Sequence, residues 1–149
     1  MNDTVRIGRI IETPEAIGEL LTRIHTVAVL GAKPHSDPPQ PAWSVPEYAQ
    51  HAGLKIIPVP VYYPELTEMH GEPVFRSLTA IPTAIDLVAV FRRPTDIPSH
   101  LPDIIVKQPL AVWFQLGIRN DDAAAVLTAA GIDVVQDHCL LVELKTRGR

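Results

Sequence analysis

The chain reads as an α/β three-layer sandwich, with helices on both faces of a mainly parallel sheet of five to six strands. Three observations predict it. Five short segments are apolar on both faces rather than alternating, which is how strands inside a parallel sheet look. Helical patterns lie between most of these segments, the alternation that parallel strands with right-handed crossovers require. The 149 residues are 46% hydrophobic and 20% charged, enough apolar material for a real core. This length favours one domain over residues 1–149, with its core at about 20–143.

The elements follow in order. Thr13-Pro14-Glu15 supplies a cap followed by proline at the first helical position, and AIGELLTRI continues the helix. TVAVLG at 26–31 is the first strand. Ser44 and Glu47 stand three apart, a capping-box spacing that opens a short helix ending at Gly53. KIIPV at 55–59 is the second strand, and GEPVF at 71–75 adds a short edge strand beside it. DLVAVF at 86–91 is the third. The stretch from Thr95 to Lys107 is helical, with Pro98 and Pro102 leaving its start open between Thr95 and Ser99. LAVWF at 110–114 is the fourth strand. Asn120-Asp121-Asp122 then opens a helix through DAAAVLTAA that stops at Gly131, and DVVQ at 133–136 is the fifth strand.

Proline is unusually common: fifteen residues, eight of them from Pro34 to Pro64. The same stretch holds Trp43, Tyr48, Tyr62 and Tyr63, so it reads as two rigid loops beside ordered elements rather than a disordered tract.

Charge and cysteine content exclude several classes. Thirteen Lys and Arg against seventeen Asp and Glu leave a net charge of −4, which argues against a dedicated nucleic-acid or anionic-membrane binder. The longest apolar runs, such as LAVWF, are far shorter than a membrane span, and the first twenty residues lack a signal-peptide core. A single cysteine makes no internal disulfide, so a reducing cytoplasm is the expected compartment. The six histidines show no close zinc-ligand pairing, and no metal site is expected.

In a parallel sheet the ligand sits beyond the carboxyl ends of the strands. Here the first strand runs into Gly31, Ala32 and Lys33, then a loop, then the helix that Ser44 is expected to cap, with Val45 behind it. A glycine leaving a strand admits a ligand to the backbone, and a helix amino end favours an anion, so phosphate is the expected guest. The alternative is that Gly31 merely permits the turn. A nicotinamide dinucleotide is disfavoured, because two further glycines are missing and Val59-Pro60-Val61 ends the second strand without an acidic residue. No Gly-Lys-Ser or Gly-Lys-Thr of a P-loop occurs either.

Taken in order, VAVLGA, WSVPEY, IIPV, GEPVFRSL, DLVAVFRRP, AVWFQLGIRN and AGIDVVQDHC resemble the small CoA-binding proteins over about residues 20–143. These are single Rossmann-like domains similar to the CoA-binding domain of succinyl-CoA synthetase. The resemblance implies bound coenzyme A, with its pyrophosphate at the Gly31 turn and its adenosine near the end of the second strand. The chain departs from the family at Lys33, where serine is usual, and at Pro60, where an asparagine is usual. It departs again at His138 and Leu141, where arginine and lysine are usual.

Further candidates are weighed against plainer roles. Lys33 either pairs with a phosphate or is a solvated loop lysine. After Phe91, Arg92 and Arg93 leave the third strand on the same sheet edge as Gly31; only one should face the ligand, and the alternative is pairing with Asp96. Trp113 and Gln115 share a face, with Phe114 opposite. Trp113 reads as core, while Gln115 either reads a ligand or ties down the loop at Gly117. Asp137-His138-Cys139 suggests a thiol nucleophile, but on an extended segment His138 points away from Cys139, which reads as a structural cysteine.

The expected function is a cytoplasmic binding module for CoA or an acyl-CoA without catalysis of its own. The rival readings are an accessory subunit of an acyl-CoA ligase, a nicotinamide-dinucleotide-binding protein, and a protein joined to CoA through Cys139. A homo-oligomer would show as apolar side chains outside the core.

Overall fold

Residues 6–149 are described by a computed structural model. Helix α1 (Pro14–Arg23) opens where Thr13 Oγ1 accepts the Ala16 N–H at 3.2 Å, and Ile17, Leu20 and Leu21 fall on its buried face. Strand β1 (Thr26–Leu30) leads to helix α2 (Pro41–His51) and strand β2 (Lys55–Val59). A two-stranded hairpin, β3 (Glu68–Met69) with β4 (Glu72–Pro73), follows. Then come β5 (Leu87–Val90), α3 (Leu101–Lys107), β6 (Ala111–Phe114), α4 (Asp121–Ala129), β7 (Asp133–Val135) and α5 (Leu140–Thr146).

The main sheet has five parallel strands in the order β2-β1-β5-β6-β7. Alternate residues build two cores, as the pleat requires. Val27, Val29, Leu87, Ala89 and Trp113 pack with residues of α1, α2 and α5. Leu30, Val88, Val90, Val112 and Phe114 pack on the other face with residues of α3 and α4. The Rossmann-like three-layer architecture is therefore present, with Trp113 and Phe114 on opposite faces. Burial of each such side chain contributes about 1.5–3 kcal/mol, so the two cores outweigh the caps, worth about 1 kcal/mol each.

Several local expectations are corrected. Ser44 does not cap α2. The helix begins at Pro41, which lacks an N–H to leave unpaired, with Gln40 as N-cap, and Ser44 Oγ donates to the Gln40 carbonyl at 3.3 Å from one turn inside. GEPVF is not an edge strand. His70 (φ 56°) and Gly71 (φ 73°) form the tight turn of a separate hairpin, as the positive dihedrals of such turns require. Phe75 N–H does donate to the Pro58 carbonyl at 3.0 Å, but proline has no N–H to return, so the ladder stops there. The Thr95–Lys107 stretch opens as two 3-10 turns, Pro94–Asp96 and Pro98–His100, so the regular helix starts later than either expected point.

At the carboxyl end, the segment Asp137-His138-Cys139, expected to be extended, leads into helix α5, which the sequence pattern did not predict. Asp137 adopts φ 59°, which ends the strand geometry, and Leu140 and Leu144 turn inward four apart. The packed region also reaches beyond 20–143. Ile11 and Ile17 are buried at one end and Leu144 at the other, while Ile10 forms a parallel bridge with Val134.

Candidate functional site

From β1 the chain moves by way of α2 to β2 on one side, whereas from β5 it moves by way of α3 to β6 on the other. This reversal opens a crevice between the carboxyl ends of β1 and β5, the place where parallel sheets bind ligands. A cleft of about 360 Å³ lies there, lined by Lys33, Gln40, Ala42, Phe91, Arg92, Arg93, Gly117 and Ile118 among others.

Three cations meet at this cleft in a chain whose net charge is −4. Lys33 Nζ donates to Gln40 Oε1 at 2.9 Å, which holds the ammonium beside the start of α2. That start has no side-chain cap; Pro41 has no N–H, Trp43 and Ser44 donate theirs to the Gln40 carbonyl at 2.9 Å, and the Ala42 N–H is left without a backbone acceptor among the described residues. Arg92 is mostly buried, at 15% side-chain exposure, whereas Arg93 is 80% exposed. Both approach Asp96: Arg93 Nε donates to Oδ2 at 2.9 Å, and Arg92 Nη2 stands 3.7 Å from the same atom. The Arg93 hydrogen bond, aided by both guanidinium charges, holds the Asp96 carboxyl below its ordinary value. One carboxylate thus stands against the two arginines, Lys33 lies on Gln40 instead, and the cleft stays positive.

Arg92 is further boxed in. Its Nε donates to His100 Nε2 at 3.2 Å, and its guanidinium lies 5.7 Å from the centroid of the Tyr62 ring. Among the described residues, neither Nη1 nor Nη2 of Arg92 has a hydrogen-bonded acceptor. Burial first, and the Arg92 charge second, push the His100 imidazole below its ordinary value, against Asp103 and Asp96.

A second, smaller cleft of about 120 Å³ lies at the end of β2. Val59, Pro60 and Val61 line it together with Arg76, Ser77, His100 and Asp103. Arg76 fastens the loop after β2, donating through Nη1 to the Tyr62 carbonyl at 3.2 Å and through Nη2 to the Tyr63 and Leu66 carbonyls at 2.9 and 2.5 Å.

The other expected residues take different places. Gly31 has φ +90°, and a Cβ there would lie 2.5 Å from the Phe91 carbonyl oxygen; the glycine makes room for a neighbouring strand's backbone. Ala32 is buried, Val45 is packed in the core, and Ser44 lies within α2; none of them lines either cleft. The Gln115 side chain neither lines the larger cleft nor bonds the loop at Gly117, although its backbone carbonyl accepts the Ile118 N–H at 2.8 Å. Its Oε1 accepts the Leu140 N–H at 3.2 Å, and its buried Nε2 has no partner among the described residues. Asp137 holds the loop instead. Its Oδ1 accepts the Gly117 N–H at 2.7 Å while its own N–H donates to the Ile118 carbonyl at 3.1 Å.

His138 pairs through Nδ1 with Glu143 Oε2 at 3.3 Å and faces a polar cleft shared with Glu12, Arg119 and Gln136. Cys139 is half-buried at the start of α5. Sequence reasoning missed Gln40, Arg76 and His100. Gln40 is signalled by the proline that follows it, whereas Arg76 and His100 come together only in the fold.

Comparison with known proteins bears on the family and the fold. The family model described as CoA binding domain matches residues 25–145. The uncharacterized protein YneT of Bacillus subtilis (strain 168) is 32% identical over 126 residues, which cover 85% of this chain and 90% of that protein. A solved structure of the protein cell-free ID.343 from Thermus thermophilus has 37% identity and a TM-score of 0.81, covering 91% of this chain and 98% of that one. A hypothetical protein from Pyrococcus horikoshii OT3 has 30% identity and a TM-score of 0.82, with 98% of both chains covered.

Proposed function

Since the chain belongs to the CoA binding domain family, we propose that it holds CoA or an acyl-CoA in the cleft between β1 and β5, as a binding module without catalysis of its own. One observation carries the proposal: Lys33, Arg92, Arg93 and the uncapped amino end of α2 converge on a single cleft. A pyrophosphate is the group that such a set of donors fits, since it accepts both point charges and the guanidinium fork.

The adenosine then runs toward Pro60 and Val61. The family's usual amide is missing there, but Arg76, Ser77 and Asp103 offer polar contacts at the smaller cleft. His138 and Cys139 line neither of these clefts, which favours binding over acyl transfer. The presence of one cysteine, and of no described helix long and apolar enough to cross a membrane, fits a reducing cytoplasm.

Calorimetric titration tests the reading. CoA should bind more tightly than NAD or ATP, and Arg92→Ala should weaken CoA by about thirtyfold, the loss of one charge-assisted contact of about 2 kcal/mol. NAD as the better ligand would overturn the proposal. Acyl-CoA turnover by the isolated chain, lost on changing one polar residue, would overturn its non-catalytic part.

A further inference from the structure

Resting on the phosphate-binding reading of this cleft, we propose that His100 is a positioning residue for Arg92 and makes binding of a phosphorylated ligand sensitive to pH. The neutral imidazole accepts the Arg92 Nε–H at 3.2 Å. With that donor occupied, and with the Tyr62 ring 5.7 Å from the guanidinium carbon, Arg92 keeps Nη1 and Nη2 without a hydrogen-bonded acceptor among the described residues, Asp96 Oδ2 standing 3.7 Å from Nη2. A guanidinium recognises phosphate through two parallel bonds, so its orientation matters more than its charge alone.

The geometry requires Nε2 of His100 to be an acceptor and therefore unprotonated. A proton on that nitrogen replaces the hydrogen bond by two donors facing one another, both on cations. Arg92 must then rotate away from the orientation the ring held.

The groups around His100 come from several elements. Arg92 follows β5, Asp96 lies in the 3-10 turn between Arg92 and His100, Asp103 is on α3, and Arg76 lines the smaller cleft with His100. The two carboxylates favour a charged imidazole, whereas burial and Arg92 oppose it, and the opposition prevails. An extra positive charge on His100 also attracts the anion, but His100 lines the smaller cleft and not the larger one, so its charge acts from a distance that salt screens. Loss of the aligned fork therefore outweighs it, and affinity falls as His100 takes up a proton.

The test is CoA binding by calorimetry from about pH 8 down to about pH 5.5 for the parent, His100→Gln, His100→Ala and Arg92→Ala. Glutamine keeps an acceptor for Arg92 Nε and does not titrate. His100→Gln should bind within about threefold of the parent at the upper pH and lose the part of the acid weakening that is not due to the ligand's own phosphate. His100→Ala should bind about tenfold more weakly at the upper pH. Thermal melts of the four proteins identify any variant that fails to fold, and the glutamine variant then carries the comparison.

Identical pH profiles for the parent and His100→Gln, or full affinity in His100→Ala, would overturn the positioning role while Arg92→Ala still weakens binding. If Arg92→Ala binds CoA like the parent, the cleft reading itself fails, and the role of His100 fails with it.

Discussion

Replacing Gly31 by alanine separates a structural glycine from a ligand-contacting one. The added Cβ would lie 2.5 Å from the Phe91 carbonyl oxygen, 3.1 Å from its carbon and 3.2 Å from Arg92 Cδ. The carbonyl cannot easily retreat, because Phe91 N–H donates to the Leu30 carbonyl at 2.9 Å and thereby extends the β1–β5 pairing. The backbone at Gly31 also sits at φ +90°, which costs an L side chain about 1–2 kcal/mol. Overpacking adds about 1–3 kcal/mol, for a total of about 3.5 kcal/mol at the middle of the range. At this chain length a change of 1 kcal/mol moves the melting temperature by about 2–4 °C, so Gly31→Ala should melt about 10 °C below the parent.

Gly117 is the control. It has φ +81° but nothing within 4 Å of the place a Cβ would take. Gly117→Ala should therefore lose only the conformational part, about 1 kcal/mol or about 3 °C. Circular-dichroism melts without ligand measure both. If Gly31→Ala melts within about 2 °C of Gly117→Ala, the Phe91 carbonyl is not what requires the glycine, and crowding by the neighbouring strand is the wrong explanation.

Other expectations follow from the same geometry. Lys33→Ala removes a point charge held by Gln40 without blocking space; CoA affinity should fall about three- to tenfold at low salt and less at high salt, and a salt-independent loss would contradict a phosphate contact. Burial pushes the His70 imidazole below its ordinary value of 6.5, where it stacks on Trp43 at 4.0 Å, so the unfolded chain takes up this proton first. Stability is thus complete above about pH 6.5 and is lost as pH falls toward the lower folded value; urea midpoints should drop on acidification, and by less in His70→Gln, with equal drops refuting the role. Cys139→Ser should leave CoA affinity within a few-fold, since Cys139 lines neither cleft; a large loss, or a covalent CoA adduct removed by reduction, would revive the thiol-linked reading.

The sheet and its two cores were legible in the sequence because burial on both faces imprints continuous apolar runs, such as those of β1 and β6, on the chain itself. Caps at Thr13 and Asn120 were legible for a similar reason: a cap satisfies backbone donors within three residues of itself. The start of α2 was misplaced because Ser44 and Glu47 have the spacing of a cap, yet Pro41 can begin the helix first. The left-handed turn at Asp137 and the helix after it were missed, since neither residue type nor spacing there forces the break.

The sequence by itself determined the layered α/β frame, the sheet edge at which Lys33, Arg92 and Arg93 emerge, and the absence of a dinucleotide fingerprint. Only the tertiary structure decided why Gly31 must be glycine, that α2 presents an uncapped end beside Lys33, and that His100 and Arg76 belong to the neighbourhood of the site. The physical reason is range. Caps are set by contacts a few residues apart and strands show in local apolar runs, whereas the Phe91 carbonyl reaches Gly31 only once β1 and β5 have paired.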